Sequence, residues 1–103
     1  MARRRRLGTA ALVVLRAIAQ EHPYGFQIMD VTGLPGGSVY PALAALERDG
    51  LVDSSWEDPV IARQEKRPPR RYYRITALGS ERLEKQLAWL SGIAAAGATS
   101  GKA

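Results

Sequence analysis

A turn-rich stretch of five residues, GLPGG at positions 33–37, separates two segments in which apolar residues recur at helical spacing. Glycine and proline at this density interrupt regular structure, so the flanking segments must be linked tightly. The upstream segment, about 24–31, predicts a short helix with Pro23 in its first turn, where the missing N–H costs little. The downstream segment, about 38–49, predicts a helix that ends before Gly50 and buries one stripe of residues: Val39, Leu43 and Leu46.

A third helical segment precedes this pair. It covers about residues 10–21, and Thr9 is the expected N-cap because its hydroxyl can accept an unpaired backbone N–H. Its apolar residues cover more than one face, which predicts burial on two sides: Leu12, Val13, Leu15, Ile18 and Ala19. A chain of 103 residues has little core with which to cover two faces of one helix. We therefore expect a second copy of the chain to cover one of them.

A hairpin and a last helix are predicted downstream of the pair. Residues 51–57 alternate loosely and indicate a strand, and residues 70–75 indicate the returning strand. The connection, residues 58–69, is polar, basic and contains proline, so we expect a loop. Residues 77–91 predict a helix with its own apolar stripe. Residues 92–103 are rich in glycine, alanine and serine, and we expect them to fray.

The order of these elements limits the fold class. Two helices joined by a short glycine-containing turn form a helix-turn-helix unit, and a basic hairpin directly after it has the position of the wing in a winged helix. We therefore predict a mostly α fold with a small β-hairpin, a winged helix-turn-helix followed by a C-terminal helix. The predicted division is into a basic arm, a winged helix-turn-helix, the last helix and a flexible tail: residues 1–7, 8–76, 77–91 and 92–103.

The positive charge of the chain is concentrated in two places. Fifteen Lys and Arg against ten Asp and Glu give a net charge of +5. Five of the fifteen lie in the first sixteen residues, and six lie between Arg63 and Arg74 against a single acid, Glu65. Clustered positive charge favours a polyanionic partner such as nucleic acid.

Composition argues against several other classes of protein. The chain has no cysteine, which removes disulfide scaffolds, thiolate metal sites and cysteine nucleophiles. His22 is the one histidine, and we find no nucleophile–base pair and no phosphate loop, so we expect no enzyme activity, metal or cofactor. The longest apolar run, residues 10–19, is broken by Arg16 and is shorter than the ~20 residues of a membrane span. We find no convincing secretory signal and expect a cytoplasmic protein.

Four motifs in one order give a more specific signal. They are YGFQI at 24–28, GSVYPAL at 37–43, LERDGLV at 46–52 and RPPRRYYRIT at 67–76. Together they resemble the PadR family of bacterial transcriptional regulators over about residues 8–91. The resemblance implies a winged-helix homodimer that binds double-stranded operator DNA, usually as a repressor, and that associates with the bacterial nucleoid when bound. It also implies dimer contacts from the last and first helices: Leu12, Leu15, Leu83, Leu87 and Leu90.

The third helix is the expected DNA-reading element. Ser38, Tyr40 and Pro41 fall where the family's recognition helix begins, and a hydroxyl at a helix N-terminus can bind phosphate. On a helical wheel, the residues opposite the buried stripe face the groove: Pro41, Ala44, Ala45 and Arg48. The family often has Lys or Arg at positions 44 and 45, and alanine there removes the obvious guanine readers. Sequence preference is therefore expected to rest more on DNA shape and on the arginine arm.

The two basic clusters are the expected phosphate contacts. In the wing they would straddle the DNA backbone beside the third helix: Arg63, Lys66, Arg67, Arg70 and Arg71. In the arm they would enter a minor groove: Arg3, Arg4, Arg5 and Arg6. A solubilising tail is the alternative for the arm. Phosphate contacts predict binding that weakens steeply with salt.

Three aromatic side chains have competing interpretations. Trp89 lies beside the apolar stripe of the last helix, where it can stack on a small aromatic effector or pack in the dimer interface, and packing is favoured. Trp56 and Tyr73 are interpreted as packing residues of the core or hairpin.

Three alternatives to a DNA-binding regulator are kept open. The first is a winged-helix protein–protein interaction module with weak or no specific DNA binding, which Ala44 and Ala45 support. The second is a small enzyme, for which no residue pattern argues. The third is attraction of the arginine arm to an anionic membrane, which deleting the arm would abolish; we expect no membrane partner. Replacing Arg70 and Arg71 by alanine distinguishes the first alternative from a DNA-binding regulator. The replacement should abolish DNA binding and leave a complex with a protein partner intact.

Overall fold

The computed structural model describes residues 6–100. Within them the chain forms five helices and one two-stranded antiparallel sheet, which confirms the predicted mostly α fold with a hairpin. The elements follow in this order: α1 Thr9–Ala19, α2 Gly25–Thr32, α3 Gly36–Arg48, β1 Val52–Trp56, α4 Pro59–Gln64, β2 Arg71–Ile75 and α5 Ala77–Ser100.

Helix α1 is the centre of the core. Its buried residues are Val14, Leu15, Ala17 and Ile18. It packs on α2, α3, β2 and α5 of the same chain. Of the residues predicted to be buried on two sides, Leu15 and Ile18 are buried in the chain's own core, Leu12 and Val13 are half-buried, and Ala19 is exposed. The predicted Thr9 cap is wrong: Gly8 is the N-cap, with no side-chain hydrogen bond, and Thr9 is the first helical residue.

The helix-turn-helix unit closes over a short link. Helix α2 ends at Gly33, whose φ of +74° places it in the left-handed region that glycine tolerates. Helix α3 begins two residues before the predicted start, because Pro35 is extended and its carbonyl accepts the N–H groups of Ser38 and Val39 at 2.9 and 3.0 Å. The predicted core stripe of α3 is confirmed, since each member is at most 1% exposed: Val39, Leu43 and Leu46.

The hairpin carries a short helix between its strands. Strands β1 and β2 pair from Val52↔Ile75 to Trp56↔Arg71. The connection was predicted to be a loop, but residues 59–64 form α4. The Asp58 carboxylate accepts the Val60 N–H at 2.9 Å and Pro59 occupies the first turn, which together are a helix start signal.

The start of α2 is attached to this wing. Tyr24 precedes α2 in extended conformation and pairs with Tyr72 in an isolated antiparallel bridge. The Tyr73 N–H donates to the Pro23 carbonyl at 2.7 Å. Pro23 therefore lies before the helix and not in its first turn as predicted. The rings of Tyr24 and Tyr72 meet edge-to-face with centroids 5.7 Å apart, so α2 and the hairpin are held together by backbone and side chain.

Helix α5 packs by its first half and projects by its second. Thr76 caps it as predicted, since its hydroxyl accepts the Gly79 N–H at 3.0 Å. The helix does not end at Ser91 as predicted but continues past Gly92 to Ser100. Alanine has the highest helix propensity of any residue, and the alanines that follow Gly92 outweigh the two glycines of this segment, Gly92 and Gly97. Within residues 6–100, none of the helices combines the length and hydropathy that a membrane span needs.

Candidate nucleic-acid interface

The outer face of α3 is open to solvent. Pro41, Ala44 and Arg48 are exposed, and Ala45 is half-buried, opposite the core stripe as the helical wheel predicted. Ser38 lies half-buried in the first turn. The face carries one cation, Arg48, whose Nε lies 3.4 Å from the Asp49 carboxylate. The outer face of α3 is therefore mostly small and apolar.

The Tyr40 side chain of α3 packs against the start of α2. Its side chain is 48% exposed, yet its ring lies directly over Gly25. A Cβ at position 25 would sit 2.5 Å from the Tyr40 hydroxyl oxygen and 2.7 Å from ring carbons. Only glycine fits there without moving the ring. Periodicity in the sequence gives no sign of this role for Gly25, because the contact joins two separate helices.

An aromatic cleft of about 410 Å³ separates the start of α3 from the wing. Three arginines and five aromatic residues line much of it: Arg67, Arg70, Arg71, Tyr24, Phe26, Tyr40, Trp56 and Tyr73. Phe26 is 72% and Trp56 65% exposed. Trp56 was predicted to pack in the core or on the hairpin; it is not in the core but lies at the end of β1 opposite Arg71. Tyr73, by contrast, packs against the core, and burial raises the pKa of its hydroxyl.

Two wing arginines lie beside this cleft. The Arg70 guanidinium carbon is 4.1 Å from the centroid of the Tyr24 ring. The corresponding carbon of Arg71 is 5.1 Å from the Trp56 ring, and its Nη2 is 3.5 Å from a Glu47 oxygen. A stacked guanidinium group keeps its N–H edges available for phosphate oxygens. Arg70 has this arrangement, whereas Arg71 shares part of its N–H edge with Glu47.

Arg67 has a different environment from its neighbours. Its Nη1 and Nη2 donate to the two oxygens of Glu57 at 2.6 and 2.8 Å, and Glu65 lies 3.0 Å away. The same Glu57 carboxylate accepts the Arg70 N–H at 3.1 Å and faces the Tyr72 hydroxyl at 3.3 Å. The structure therefore uses Arg67, predicted to contact phosphate, to brace the base of the wing. Charge clustering in the sequence gives no sign of this buried partner.

Acidification is expected to destabilise the fold through Glu57. The hydrogen bonds from Arg67 outweigh desolvation and lower the pKa of Glu57 from 4.5 to about 2. Because the folded-state pKa is below the unfolded value, the stabilisation is present above pH 4.5 and is lost as pH falls toward 2. Glu57→Gln should reduce the slope of the unfolding free energy against pH in this range. The reduction corresponds to at most about one proton taken up on unfolding.

Urea denaturation across this pH range measures the effect. Glu84→Gln makes the same charge change at an exposed position of α5 and serves as the control. Identical pH slopes for the wild type and Glu57→Gln would contradict the assigned role of Glu57.

The residues predicted to form the dimer interface differ in how far the chain's own core buries them. Leu15 and Leu83 are 0% and 7% exposed inside the chain's own core, so they have little surface left for a partner. Leu12 and Leu87 pack partly on the same core. Leu90, by contrast, is 39% exposed and is followed one turn later by Ile93 at 50%.

The arm and Trp89 meet on α5. The Arg6 guanidinium carbon lies 3.6 Å from the centroid of the Trp89 ring. Arg3, Arg4 and Arg5 lie outside the described residues. Across residues 6–100, no three His, Cys, Asp or Glu side chains are grouped so that they could hold a metal ion.

The geometry agrees with comparisons to known proteins. The model of the transcriptional regulator PadR-like family matches residues 14–85. The chain belongs to the PadR-like family. This match spans the helix-turn-helix unit, the wing and the first part of α5. No curated protein matches the chain in sequence.

Solved PadR-family structures share the fold at low identity. A PadR-family transcription regulator from Clostridium difficile is 22% identical, with a TM-score of 0.75 over 86% of this chain and 94% of that chain. A PadR-like transcriptional regulator from Bacillus cereus is 23% identical, with a TM-score of 0.72 over 90% of this chain and 91% of that chain. A PadR-family transcriptional regulator from Eggerthella lenta is 23% identical, with a TM-score of 0.71 over 87% of this chain and 81% of that chain. The winged helix of PadR-like proteins is thus the fold of this chain.

Proposed function

We propose that this PadR-like chain is a sequence-specific DNA-binding transcriptional regulator that acts as a homodimeric repressor at a pseudo-palindromic operator. The observation that carries the proposal is the position of Arg70 and Arg71 at the cleft beside the start of α3. A duplex that receives α3 in its major groove brings its phosphate backbone against such a wing.

The outer face of α3 is suited to shape readout. Ala44 and Ala45 are small enough to contact thymine methyl groups but donate no side-chain hydrogen bond to a base. Arg48 is the basic residue placed to reach a base edge or phosphate. The N-terminus of α3, with the Ser38 hydroxyl, favours a phosphate through its N–H groups and dipole. Affinity then depends mainly on phosphates and on DNA deformability.

Dimerisation is assigned to the projecting half of α5. Its exposed apolar residues, Leu90 and Ile93, lie on the part of the helix that the chain's own core does not cover. Two-fold symmetry would separate the half-sites by about 10 bp or a multiple. A bound dimer would repress by blocking polymerase. A small aromatic effector stacking on Trp89 would act by favouring one spacing of the two wings over another. Such a regulator works in the cytoplasm, where its DNA is.

Fluorescence-anisotropy titration tests the proposal. The probes are the duplex upstream of the protein's own gene and a scrambled duplex of the same composition, each at two salt concentrations. We expect preferential binding to the native duplex, with an affinity that falls steeply with salt. Equal binding to both duplexes would mean that the operator does not lie upstream of the protein's own gene, and selection of bound sites from genomic DNA would then locate it. No binding to either at low salt would overturn the DNA-binding proposal.

The second candidate function is a protein–protein interaction module. The small apolar face of α3, with Ala44 and Ala45, favours it, as does the exposure of Phe26 beside that helix. An immobilised chain that binds a protein partner equally well with Arg70 and Arg71 replaced by alanine, and binds no duplex, would establish this function instead.

A further inference from the structure

One buried polar side chain of α5 is used to hold the N-terminal arm. Gln86 is only 7% exposed. Its Oε1 accepts the Leu7 N–H at 2.8 Å, and its Nε2 donates to the Leu7 carbonyl at 2.9 Å. Both polar groups of one peptide residue are therefore satisfied by one amide, across 79 positions of sequence.

A second contact secures the preceding residue. Trp89 follows Gln86 by three positions, so the two side chains lie on neighbouring parts of one helix face. The Arg6 guanidinium lies over the Trp89 ring at 3.6 Å, a distance typical of a cation–π contact. Residues 6 and 7 are thus held by consecutive contacts along α5, directly before α1 begins.

Packing alone does not account for an amide at position 86. A buried amide loses free energy unless its N–H and C=O groups are paired, and a leucine or methionine would fill the same space without that requirement. The pairing it finds is with backbone, which depends little on the identity of residue 7. The amide therefore fixes the position of the chain and not the choice of side chain.

We propose that Gln86 is a positioning residue for the arginine arm: with Trp89, it fixes the point on α5 from which the arm leaves the domain. The inference rests on the proposed function only where it concerns DNA. Arginines that leave from a fixed point have fewer conformations to lose when they meet phosphates than arginines on a mobile terminus. We expect this to strengthen DNA binding several-fold.

Trypsin measures the clamp without DNA. Trypsin cleaves after arginine, so it can cut the bond between Arg6 and Leu7. Gln86 holds the N–H and C=O groups of Leu7, on the C-terminal side of this bond. Gln86→Met keeps the length and removes both hydrogen bonds, so it should speed cleavage of this bond at least about fivefold through local opening. Gln20→Met makes the same change at an exposed position and should leave the rate unchanged.

Two further variants separate clamp loss from unfolding. Gln86→Glu keeps an acceptor for the Leu7 N–H and loses the donor, so an intermediate cleavage rate is expected. Trp89→Leu removes the cation–π contact and leaves the amide in place, so it should also give an intermediate rate. Circular dichroism identifies any variant that has lost its fold. Equal cleavage rates for the wild type and a folded Gln86→Met would overturn the proposal.

DNA binding tests the positioning role. Gln86→Met is measured in the full chain and in a chain lacking residues 2–6. If Gln86 acts through the arm, the substitution weakens binding several-fold in the full chain and has no effect once the arm is deleted. Equal effects in both backgrounds would show a structural role only and would overturn it. If the wild type binds no DNA, the proposed function fails, while the cleavage rates still decide whether the clamp exists.

Discussion

Gly79→Ala is expected to lower the free energy of unfolding by about 3 kcal/mol, the upper end of the range for overpacking a core. A Cβ at this position would collide with the carbonyl oxygen of Leu51 and lie 2.8 Å from the Ile75 Cγ1. The carbonyl cannot move away cheaply, because it accepts the Thr76 N–H at 3.0 Å and so joins the end of the hairpin to its start. The first turn of α5 would have to shift from the wing.

Gly92→Ala supplies the matched control on the same helix. A Cβ there meets nothing within 4 Å, so the substitution only adds helix propensity and should stabilise the chain by about 0.5–1 kcal/mol. Chemical denaturation of the two variants beside the wild type gives both values. A neutral Gly79→Ala would contradict the close approach of α5 to the hairpin. A destabilising Gly92→Ala would contradict the continuation of α5 beyond Ser91.

Replacing Arg70 and Arg71 together by alanine is expected to weaken duplex binding about 100-fold for each subunit, or about 10,000-fold for the dimer, at low salt, since removing one arginine–phosphate pair costs roughly tenfold in affinity. The slope of log affinity against log salt should fall by about four, because the dimer loses two arginine–phosphate contacts in each subunit and releases four fewer counterions. The loss should be similar for native and scrambled duplexes, since phosphate contacts carry no sequence information. Anisotropy titrations at several salt concentrations measure all three quantities.

A charge-matched control distinguishes direct phosphate binding from overall charge. Arg74→Ala with Lys85→Ala also removes two cations, but the Arg74 side chain is 83% exposed beside Asp53 and the Lys85 side chain is 73% exposed on α5. Neither residue lines the cleft. We expect no more than a few-fold loss of affinity from this pair. Equal losses for the two double variants would mean that the wing does not bind the duplex directly.

The parts of the fold that follow from spacing were predictable from sequence. The buried stripe of α3 has a helical period, and the hairpin has strands flanked by breakers, so local pattern was sufficient. Helix α4 is not predicted because the prolines of the connection favour a loop, although proline directly after Asp58 is a helix start signal. The predicted end of α5 at Ser91 rests on the low helix propensity of Gly92 and does not include the high helix propensity of the alanines that follow it.

The site was predictable in type but not in detail. Clustered arginines indicate a polyanion, yet the sequence does not distinguish Arg70, which stacks on Tyr24, from Arg67, which pairs with Glu57. That difference arises from an ion pair across ten positions of sequence, inside a connection that contains an unpredicted helix. The Gln86–Leu7 clamp depends on residues at opposite ends of the chain, for which no local pattern exists.

The bridge between Tyr24 and Tyr72 bears on the kinetics of recognition. Because this bridge and the Tyr73–Pro23 hydrogen bond join the wing to the start of α2, and Tyr40 joins α2 to α3, the two surfaces that would meet DNA are already in register before encounter. A preassembled surface loses little conformational entropy on docking and needs no slow closing step. Association should then be limited by diffusion and charge steering, so that differences among operators are expressed chiefly in the lifetime of the complex.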